Sequence, residues 1–314
     1  MKDNVTIVIP AFGVSKQILQ VIKEIDRGVN SIIVVDDCCP ENSGKIVQTL
    51  CKDKRVKVVF NESNLGVGGS MITGYTEALK SNPSFIAKID GDGQMDPKLI
   101  SEFLARMKNS GADYAKGNRF ADPENLLLMP KIRILGNLFL SFFAKFSTGY
   151  WNVFDPNNGL TVIKGEMLKQ IPLRKISNGY FFESDMLFRL NLLGAHVIDV
   201  PMQAVYGSEK SNLKISRTIF EFSYKHYKNF IKRLAYNYFI RDFNLASVEL
   251  LLAISALSLG TLIGATNFIR AEQTQNTMSV GILVLVAILM ISGLQLLLSF
   301  FNFDMSNRSN KKSG

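Results

Sequence analysis

The sequence predicts an α/β domain with a mostly parallel sheet, followed by two helices long enough to span a membrane. Over residues 5–117, short apolar runs alternate with helical patterns, as they do in parallel strands joined by crossover helices. Further along, residues 250–269 include no charged side chain, and none occurs between Glu272 and Asp304. Each of these two stretches can cross about 30 Å of hydrocarbon as a helix.

Five apolar runs are the predicted strands, and one helix is well marked between the last two of them. The runs cover residues 5–10, 31–37, 56–60, 85–90 and 112–116. Asp96 can cap the helix, Pro97 suits its first turn and Gly111 can end it. Ligands of open parallel sheets bind beyond the carboxyl ends of the strands, so the loops after the first four runs are expected to line one cleft.

The charges that flank the two apolar stretches predict their orientation. Lysine and arginine are concentrated before the first stretch and after the second, whereas the connection between them carries only Arg270. Because cytoplasmic segments near a membrane carry the excess of positive charge, both termini and the α/β domain are predicted to be cytoplasmic. The N-terminal apolar run stops at Pro10 and is too short for the core of a signal peptide. The alternative, a buried hairpin in a soluble core, would normally show a polar helix face.

Residues 212–241 join these two regions and combine basic with aromatic side chains. The basic residues are Lys214, Arg217, Lys225, Lys228, Lys232, Arg233 and Arg241, against the single acid Glu221. Cations and aromatic rings suit the headgroup layer of an anionic membrane. The net charge of +9 is also typical of nucleic-acid binding, but the adjoining apolar stretches favour the membrane over a nucleic acid. A further apolar stretch, residues 132–146, fits either a loop that dips into the headgroup layer or a core helix.

Lys88-Ile-Asp-Gly-Asp-Gly-Gln94 is the segment that most clearly indicates chemistry. It places Asp90 and Asp92 directly after an apolar strand, with one glycine between them. Two carboxylates at such a position can bind Mg²⁺ or Mn²⁺, which commonly share their sites with substrate phosphates. Glycines allow the tight backbone turn that leaves room for an ion. A plain turn of aspartate and glycine is the structural alternative.

The segment Asn64-Leu-Gly-Val-Gly-Gly69 raises the question of a dinucleotide-binding fold. In a fingerprint that starts at Gly66, the sixth position is Met71 and not glycine. Asp90 would have to serve as the ribose-binding acid of that fingerprint, although it is better used beside Asp92. The sequence therefore disfavours an oxidoreductase of the Rossmann type.

These segments resemble glycosyltransferase family 2, and within it the polyprenyl-phosphate glycosyltransferases, such as dolichyl-phosphate mannose synthase and bactoprenol glucosyltransferases. The resemblance covers roughly residues 4–215. The matching segments follow the order of the family: Ile9-Pro-Ala-Phe12, Val35-Asp-Asp37, the 64–69 and 90–94 segments, Gly117-Asn-Arg-Phe120, Phe182-Glu-Ser-Asp185 and Tyr206-Gly-Ser-Glu-Lys-Ser211. The resemblance implies a Rossmann-like catalytic domain of the GT-A type, followed by interfacial amphipathic helices and two C-terminal transmembrane helices.

The resemblance also implies roles for individual residues. The implied nucleotide-sugar contacts are Pro10, Ala11, Phe12, Asp36, Asp37, Asn64, Gly66, Gly68, Lys88, Asp90, Gly91 and Asp92. The implied ligands of Mg²⁺ or Mn²⁺ are Asp90, Asp92 and Gln94. The implied catalytic residues are Asp92, Arg119, Arg133, Asp155, Glu183, Asp185 and Lys210. Within that set, Arg119 and Arg133 are similar to the arginines that family members use around the phosphates. Lys210 lies in a segment that closes over the site. Asp155, Glu183 and Asp185 would orient the sugar or act as a base.

Several of these residues also have plain structural interpretations. Asp36 and Asp37 could simply cap the helix that follows them. Arg119 could belong to a surface ion pair, as could Arg133. Asp185 could lie on an exposed turn of a helix. The sequence leaves these alternatives open.

The implied activity is transfer of one sugar, with inversion, from a UDP- or GDP-sugar to a polyprenyl phosphate such as undecaprenyl or dolichyl phosphate. The expected place is the cytoplasmic leaflet of a bacterial inner membrane, and the expected products serve cell-envelope glycans or glycoconjugates. A lipid phosphate is already anionic near pH 7, so it needs positioning rather than deprotonation by a base. The alternatives are a family 2 transferase that acts on a glycan or lipid hydroxyl, and a non-catalytic membrane scaffold.

The predicted domains are a catalytic domain over residues 1–211, basic juxtamembrane helices over 212–245, two transmembrane helices over 246–303 and a cytoplasmic tail over 304–314. In the first span, Ala256, Gly260 and Gly264 follow one another at four-residue spacing and give the helix one small face. That face fits close packing either against the second span or against another protomer. A homo-oligomer is therefore one of two alternatives.

Overall fold

The computed structural model describes residues 3–121, 131–203 and 215–306. The chain divides into two compact units, Met1–Phe230 and Ile231–Gly314. The division falls inside one long helix, Ile215–Ala235. The domain bounds predicted from the sequence stay a prediction, and most of the predicted tail lies outside the described residues.

The first unit is built on one sheet, whose strands alternate with helices along the chain. The strands are β1 (Val5–Ala11), β2 (Ser31–Asp36), β3 (Val56–Phe60), β4 (Phe85–Lys88), β5 (Tyr114–Asn118), β6 (Thr161–Lys164) and β7 (Val197–Pro201). The helices are α1 (Ile18–Glu24), α2 (Ser43–Leu50), α3 (Gly66–Leu79), α4 (Leu99–Ser110), α5 (Lys131–Thr148), α6 (Gly165–Gln170), α7 (Phe182–Leu192) and α8 (Ile215–Ala235).

The order of the described strands across the sheet is β3-β2-β1-β4-β6-β5-β7. The pairs β3–β2, β2–β1 and β1–β4 are parallel, and β7 is parallel to β5. Strand β6 runs antiparallel to β4 on one side and to β5 on the other. The prediction of a mostly parallel α/β sheet is confirmed. Strands β6 and β7 were not predicted, because β6 is short and β7 is interrupted by Asp199.

The strands form where the sequence has continuous apolar runs because both faces of the sheet are buried. On one face Ile7 and Ile9 pack with residues of α1 and α4, and on the other Val8 and Val35 pack with residues of α3 and α7. Fully burying one such side chain contributes about 1.5–3 kcal/mol. The sheet is thus a rigid base for the loops that leave its strands.

Helix α4 shows how the local signals work. The Asp96 carboxylate accepts a hydrogen bond from the backbone N–H of Lys98 (2.9 Å), and the helix begins at Leu99. Phe103 and Met107 are fully buried on its inner face. Gly111 follows the helix with a φ of +67°, a conformation that glycine adopts without strain. The predicted apolar face and end of this helix are confirmed. Its start lies two residues later than predicted, because Lys98 is the N-cap and Asp96 makes its hydrogen bond in the turn before the helix.

The second unit is dominated by two long helices, α9 (Leu245–Gln273) and α10 (Val280–Ser306). Among the described residues, these are the two helices long and apolar enough to cross a membrane, with mean hydropathies of 1.9 and 2.6. A Cβ added at Gly260 would lie 3.1 Å from the Leu289 Cβ, and one at Gly293 would lie 2.8 Å from the Leu257 Cγ. The small helix face therefore packs within the chain, and association of protomers stays a prediction.

A buried ion pair joins the two ends of the second unit. Arg233 donates from Nη1 to Oδ1 of Asp304 (2.6 Å) and from Nη2 to Oδ2 (2.9 Å). The Tyr238 hydroxyl donates to the same carboxylate (2.7 Å). Both charged side chains are almost fully buried. Counting Arg233 among the cations that face lipid headgroups was therefore wrong, because its guanidinium is committed to Asp304.

Helix α5 covers the apolar stretch for which the sequence left two interpretations open. From Leu138 onward its side chains are described, and Ser141 and Ala144 are buried. Phe139 and Phe142 are about half exposed on the opposite side of the helix. The stretch is therefore a helix and not a loop, with one face buried against the rest of the first unit and one apolar face exposed.

His226 of α8 is buried against α5 and the start of α7. Its Nδ1 lies 2.7 Å from the Ser147 hydroxyl oxygen, and its ring meets the Phe181 ring edge to face at 4.8 Å. Burial lowers the pKa of His226 to about 4, against an ordinary value of 6.5. Between these two pH values the unfolded chain binds a proton that the folded chain excludes, so stability is lost as the pH falls through this window.

We expect acid to destabilise the protein partly through this one histidine. Between pH 7 and pH 4.5 its contribution amounts to about 2–3 kcal/mol. The loss of thermal stability over that pH range, measured by circular dichroism in detergent, should therefore be smaller in His226→Gln than in the wild type. His196→Gln, at the partly buried second histidine, is the matched control. Equal losses in the wild type and His226→Gln would contradict the prediction.

Candidate functional site

Loops that follow the parallel strands are joined to one another at one edge of the sheet. The Asp37 N–H donates to the Ala11 carbonyl oxygen (3.1 Å), which connects the loops after β1 and β2. The Asp37 carboxylate accepts from the backbone N–H groups of Leu65 (2.9 Å) and Gly66 (2.8 Å) in the loop after β3. These hydrogen bonds show that the loops after β1, β2 and β3 lie together at one edge of the sheet, as expected.

The loop after β4 carries the two aspartates singled out in the sequence. Its tight course depends on two glycines, because a Cβ at Gly91 would lie 2.8 Å from the Ile18 side chain and Gly93 has a φ of +76°. Asp92 accepts at Oδ1 from the Gln94 N–H (3.0 Å). The Asp90 side chain is 30% exposed. Both carboxylates therefore lie within one compact turn at the carboxyl end of β4.

Lys88, the last residue of β4, lies beneath this turn. Its Nζ donates to Asp90 Oδ1 (2.7 Å) and to the Gly159 carbonyl oxygen (3.2 Å), and it lies 3.1 Å from Glu183 Oε1. Burial by itself would lower the pKa of Lys88, but the carboxylates of Asp90 and Glu183 outweigh burial and hold that pKa above its ordinary value. Lys88 is 1% exposed, so the donor contact implied for it would be indirect, through Asp90.

Arg119 and Asp155 form a bidentate pair beside the same edge. Arg119 donates from Nε to Oδ2 of Asp155 (2.7 Å) and from Nη2 to Oδ1 (2.9 Å). The Asp155 side chain is 2% exposed and that of Arg119 is 28% exposed. Arg119 is thus held in place by a buried carboxylate, and Asp155 anchors an arginine.

Glu183 and Asp185 open helix α7, and both are buried. Asp185 accepts from the Ser177 N–H (2.9 Å) and from Arg189 at Oδ2 (3.1 Å), and from the Asn229 amide at Oδ1 (3.1 Å). The interpretation of Asp185 as an exposed turn residue is wrong, because three groups of the first unit converge on it. Its carboxylate fastens α7 to α8.

Asp36 and the glycines at the start of α3 also have internal partners. Asp36 accepts from the N–H groups of Cys39 (2.8 Å) and Gly44 (2.6 Å), so it caps the turn and helix that follow it. A Cβ at Gly68 would lie 2.1 Å from the Ser177 carbonyl oxygen, so this glycine permits close backbone packing. The contacts with a nucleotide sugar implied for these residues and for Asn64 stay predictions.

Phe12, at the end of β1, is more exposed to solvent than its neighbours in the chain. It is 51% exposed, whereas Ala11 is fully buried and Pro10 is partly buried. An exposed aromatic ring at the carboxyl end of a strand can stack on a base. Two implied catalytic residues cannot be placed in the same way: Arg133 belongs to α5 but its side chain is not among those described, and Lys210 lies outside the described residues.

Two ionisable residues near the site, Lys116 and the partly buried Asp199, were not expected from the sequence. Lys116 on β5 is fully buried and donates to the Asn158 carbonyl oxygen, and burial lowers its pKa to about 8. Burial raises the pKa of Asp199, its neighbour on β7, to about 6. Each of these residues is a charged side chain inside a strand that is otherwise mostly apolar. A charged residue in that position indicates a buried group with polar partners, because charged residues are rarely buried without them.

The donor set of the 90–94 turn suits a hard divalent cation. The described residues contain no group of three or more His, Cys, Asp or Glu side chains that could hold a metal by themselves. Two carboxylates are nevertheless the usual protein share of a site at which Mg²⁺ is also bound by substrate phosphates. The oxygen chemistry of Asp90, Asp92 and Gln94 therefore fits a cation that arrives with a phosphorylated ligand.

Comparison with known proteins gives concordant similarities. The model of glycosyl transferase family 2 matches residues 6–171. An uncharacterized protein of Methanocaldococcus jannaschii is 31% identical over 206 residues, which cover 65% of this chain and 83% of that protein. The UDP-N-acetylglucosamine–dolichyl-phosphate N-acetylglucosaminyltransferase of Methanococcus voltae is 28% identical, over 64% of this chain and 85% of that enzyme.

A third relative and a solved structure are also similar to this chain. The polyprenol monophosphomannose synthase of Mycolicibacterium smegmatis is 28% identical, over 54% of this chain and 65% of that enzyme. The glucosyl-3-phosphoglycerate synthase of Mycobacterium tuberculosis, solved with Mn²⁺, UDP and glucosyl-3-phosphoglycerate, superposes with a TM-score of 0.52 at 17% identity. That superposition covers 74% of this chain and 80% of the other. At this identity the likeness concerns the fold, which is of the GT-A type.

Proposed function

The chain belongs to glycosyl transferase family 2, and on that premise we propose that it transfers one sugar from a nucleotide-sugar donor to a polyprenyl phosphate. The observation that carries the proposal is the compact turn of Asp90 and Asp92 in a chain that continues into two helices able to span a membrane. The names of the Methanococcus and Mycolicibacterium relatives support the choice of acceptor. Donor and acceptor would thus meet at the membrane surface.

The donor would lie over the carboxyl ends of β1 to β4. Phe12 would stack on the base, and Asp90, Asp92 and Gln94 would hold Mg²⁺ or Mn²⁺ against the diphosphate of a UDP- or GDP-sugar. When bound, the cation neutralises charge on the departing nucleoside diphosphate. Arg119, fixed in direction by Asp155, would add a positive charge close to the phosphates.

The acceptor oxygen would attack the anomeric carbon in line with the departing diphosphate. A bond forms between this carbon and a phosphate oxygen of the lipid, and the bond to the donor diphosphate breaks, so the configuration inverts. The three candidate bases, Asp155, Glu183 and Asp185, are each bonded to cationic side chains within the fold. That arrangement suits an acceptor that is already anionic and needs positioning, with Arg133 and Lys210 as further proposed contacts.

Helix α8 supports a place at the cytoplasmic face of a membrane. Phe220, Tyr224 and Tyr227 are 79%, 61% and 63% exposed and recur on one side of the helix. His226 and Asn229 are buried on the other side. Exposed rings beside lysines suit the headgroup layer of an anionic bilayer. A bacterial inner membrane, with both termini cytoplasmic, remains the proposed location.

Direct assay of a lipid-linked product tests the proposed function. Membranes that contain the protein would be incubated with radiolabelled UDP- and GDP-sugars, polyprenyl phosphate and Mg²⁺ or Mn²⁺. We expect label from one donor to enter an organic-extractable lipid and to be released by mild acid, because a glycosyl phosphate is more acid-labile than a glycoside. Label that resists mild acid would favour a hydroxyl acceptor, and no transfer from any donor would favour the scaffold.

The exposed lysines of α8 should matter for a lipid acceptor. Each lysine near an anionic surface contributes about 1 kcal/mol, so Lys228→Gln/Lys232→Gln should lower kcat/KM by roughly 30-fold on a long-chain acceptor in anionic vesicles. The same variant should act almost normally on a short soluble acceptor. Lys52→Gln/Lys54→Gln, at exposed lysines before β3, is the matched control. Equal losses on both acceptors would contradict an interfacial role.

A further inference from the structure

We infer that Lys88 and Gly159 position Asp90 so that it offers a single carboxylate oxygen to the divalent cation. This inference rests on the proposed function, because it concerns the cation that would accompany the donor. Neither residue was expected from the sequence to act in this way.

Lys88 occupies one oxygen of Asp90. Its ammonium has three hydrogen-bond donors, and three oxygens surround it: Asp90 Oδ1 at 2.7 Å, Glu183 Oε1 at 3.1 Å and the Gly159 carbonyl at 3.2 Å. The lysine is 1% exposed and ends strand β4, so its position is fixed by the sheet. With Oδ1 bonded to Lys88, a cation would meet Asp90 through Oδ2.

Gly159 sets the position of that second oxygen. A Cβ at residue 159 would lie 2.1 Å from Asp90 Oδ2 and 2.9 Å from Asp90 Cγ, closer than any real Cβ contact. Only a residue without a side chain lets the carboxylate lie against the backbone here. The same residue supplies the carbonyl oxygen that fixes Lys88. One backbone position therefore holds both the lysine and the carboxylate that the lysine orients.

The charge on Lys88 is balanced by Glu183. An uncompensated ammonium beside a metal ligand would repel the cation. Glu183 is buried, however, and pairs with this ammonium, so the two charges offset one another and the net charge offered to the cation is that of Asp90 and Asp92. The remaining effect of Lys88 is geometric. Lys88 is thus a positioning residue that acts through Asp90.

Metal binding can be measured separately from catalysis. We would titrate the protein with Mn²⁺ and follow the free ion by electron paramagnetic resonance, with and without UDP or GDP. Lys88→Met/Glu183→Gln removes both buried charges together, so the net charge at the site is unchanged. It should bind Mn²⁺ at least tenfold more weakly than the wild type, as expected when a residue that orients a ligand is lost.

Gly159→Ala provides a second test that retains every charge. It should displace the Asp90 carboxylate and weaken Mn²⁺ binding to a similar extent. Gly179→Ala is its matched control, because a Cβ there would meet nothing within 4 Å. The inference is overturned if either Lys88→Met/Glu183→Gln or Gly159→Ala binds Mn²⁺ as tightly as the wild type. A wild-type protein that binds no Mn²⁺ would instead overturn the proposed metal site, and this inference with it.

Discussion

Asp92→Asn should reduce sugar transfer by more than about 100-fold while leaving the protein folded, since even the residues that orient metal ligands are typically worth 10–100-fold. The substitution removes a negative charge from the turn that would hold the cation. It keeps an oxygen that can accept from the Gln94 N–H, and Asp92 is only partly buried, so the fold loses little. The measurement is Mn²⁺-stimulated transfer to lipid in membranes, together with the thermal midpoint of the purified protein.

Asp96→Asn is the matched control for this substitution. Asp96 is exposed and lies four residues further along the chain, and its carboxylate accepts from the Lys98 N–H, a bond that asparagine can also make. Transfer by this variant should be close to that of the wild type. Normal transfer by Asp92→Asn would show that the 90–94 turn does not hold the cation.

Asp304→Leu should destabilise the second unit by about 3–5 kcal/mol, the usual cost of removing one partner of a buried ion pair. Arg233 would keep its charge in a fully buried position, and the Tyr238 hydroxyl would lose an acceptor at 2.7 Å. The effect would be measured as a fall in the thermal midpoint of the protein in detergent and as faster proteolysis of residues 231–306.

A double substitution separates the lost pair from a general loss of packing. Arg233→Met/Asp304→Leu removes both charges, and an apolar pair of similar size is often as stable as the ion pair it replaces, so most of the stability should return. Glu221→Gln is the control, because the pair of Glu221 with Lys225 on α8 is partly exposed and worth about 0.5 kcal/mol or less. A double variant no more stable than Asp304→Leu would refute the interpretation of an unpaired buried charge.

The parts of the fold that could be predicted are those that depend on local patterns. Strands β1 and β2 appear in the sequence as apolar runs because burial on both faces leaves little place for polar side chains. The end of helix α4 could be predicted because Gly111 takes the left-handed conformation that follows the last turn of the helix. The turn of Asp90 and Asp92 could be found because a short segment carries its glycines and its carboxylates together.

The parts that could not be predicted depend on residues far apart in the chain. Arg119 meets Asp155 across 36 positions, and Arg233 meets Asp304 across 71. Without knowledge of its partner, a charged side chain is expected to be exposed. The sequence therefore predicted that Arg233 faces the lipid headgroups. Strand β6 was missed for a related reason, because it is four residues long and finds its antiparallel neighbours only in the sheet.

The sequence by itself determined the family, the α/β class, the two apolar helices and the turn that would bind a divalent cation. Each of these features is indicated by residue spacing, by composition or by a short motif, and none of these signals depends on contacts between distant residues. Only the tertiary structure decided that Lys88 and Glu183 form a buried pair at Asp90 and that Gly260 packs inside its own chain. The physical reason is that the state of a buried charge or a small helix face depends on its spatial neighbours, and folding brings those from distant parts of the sequence.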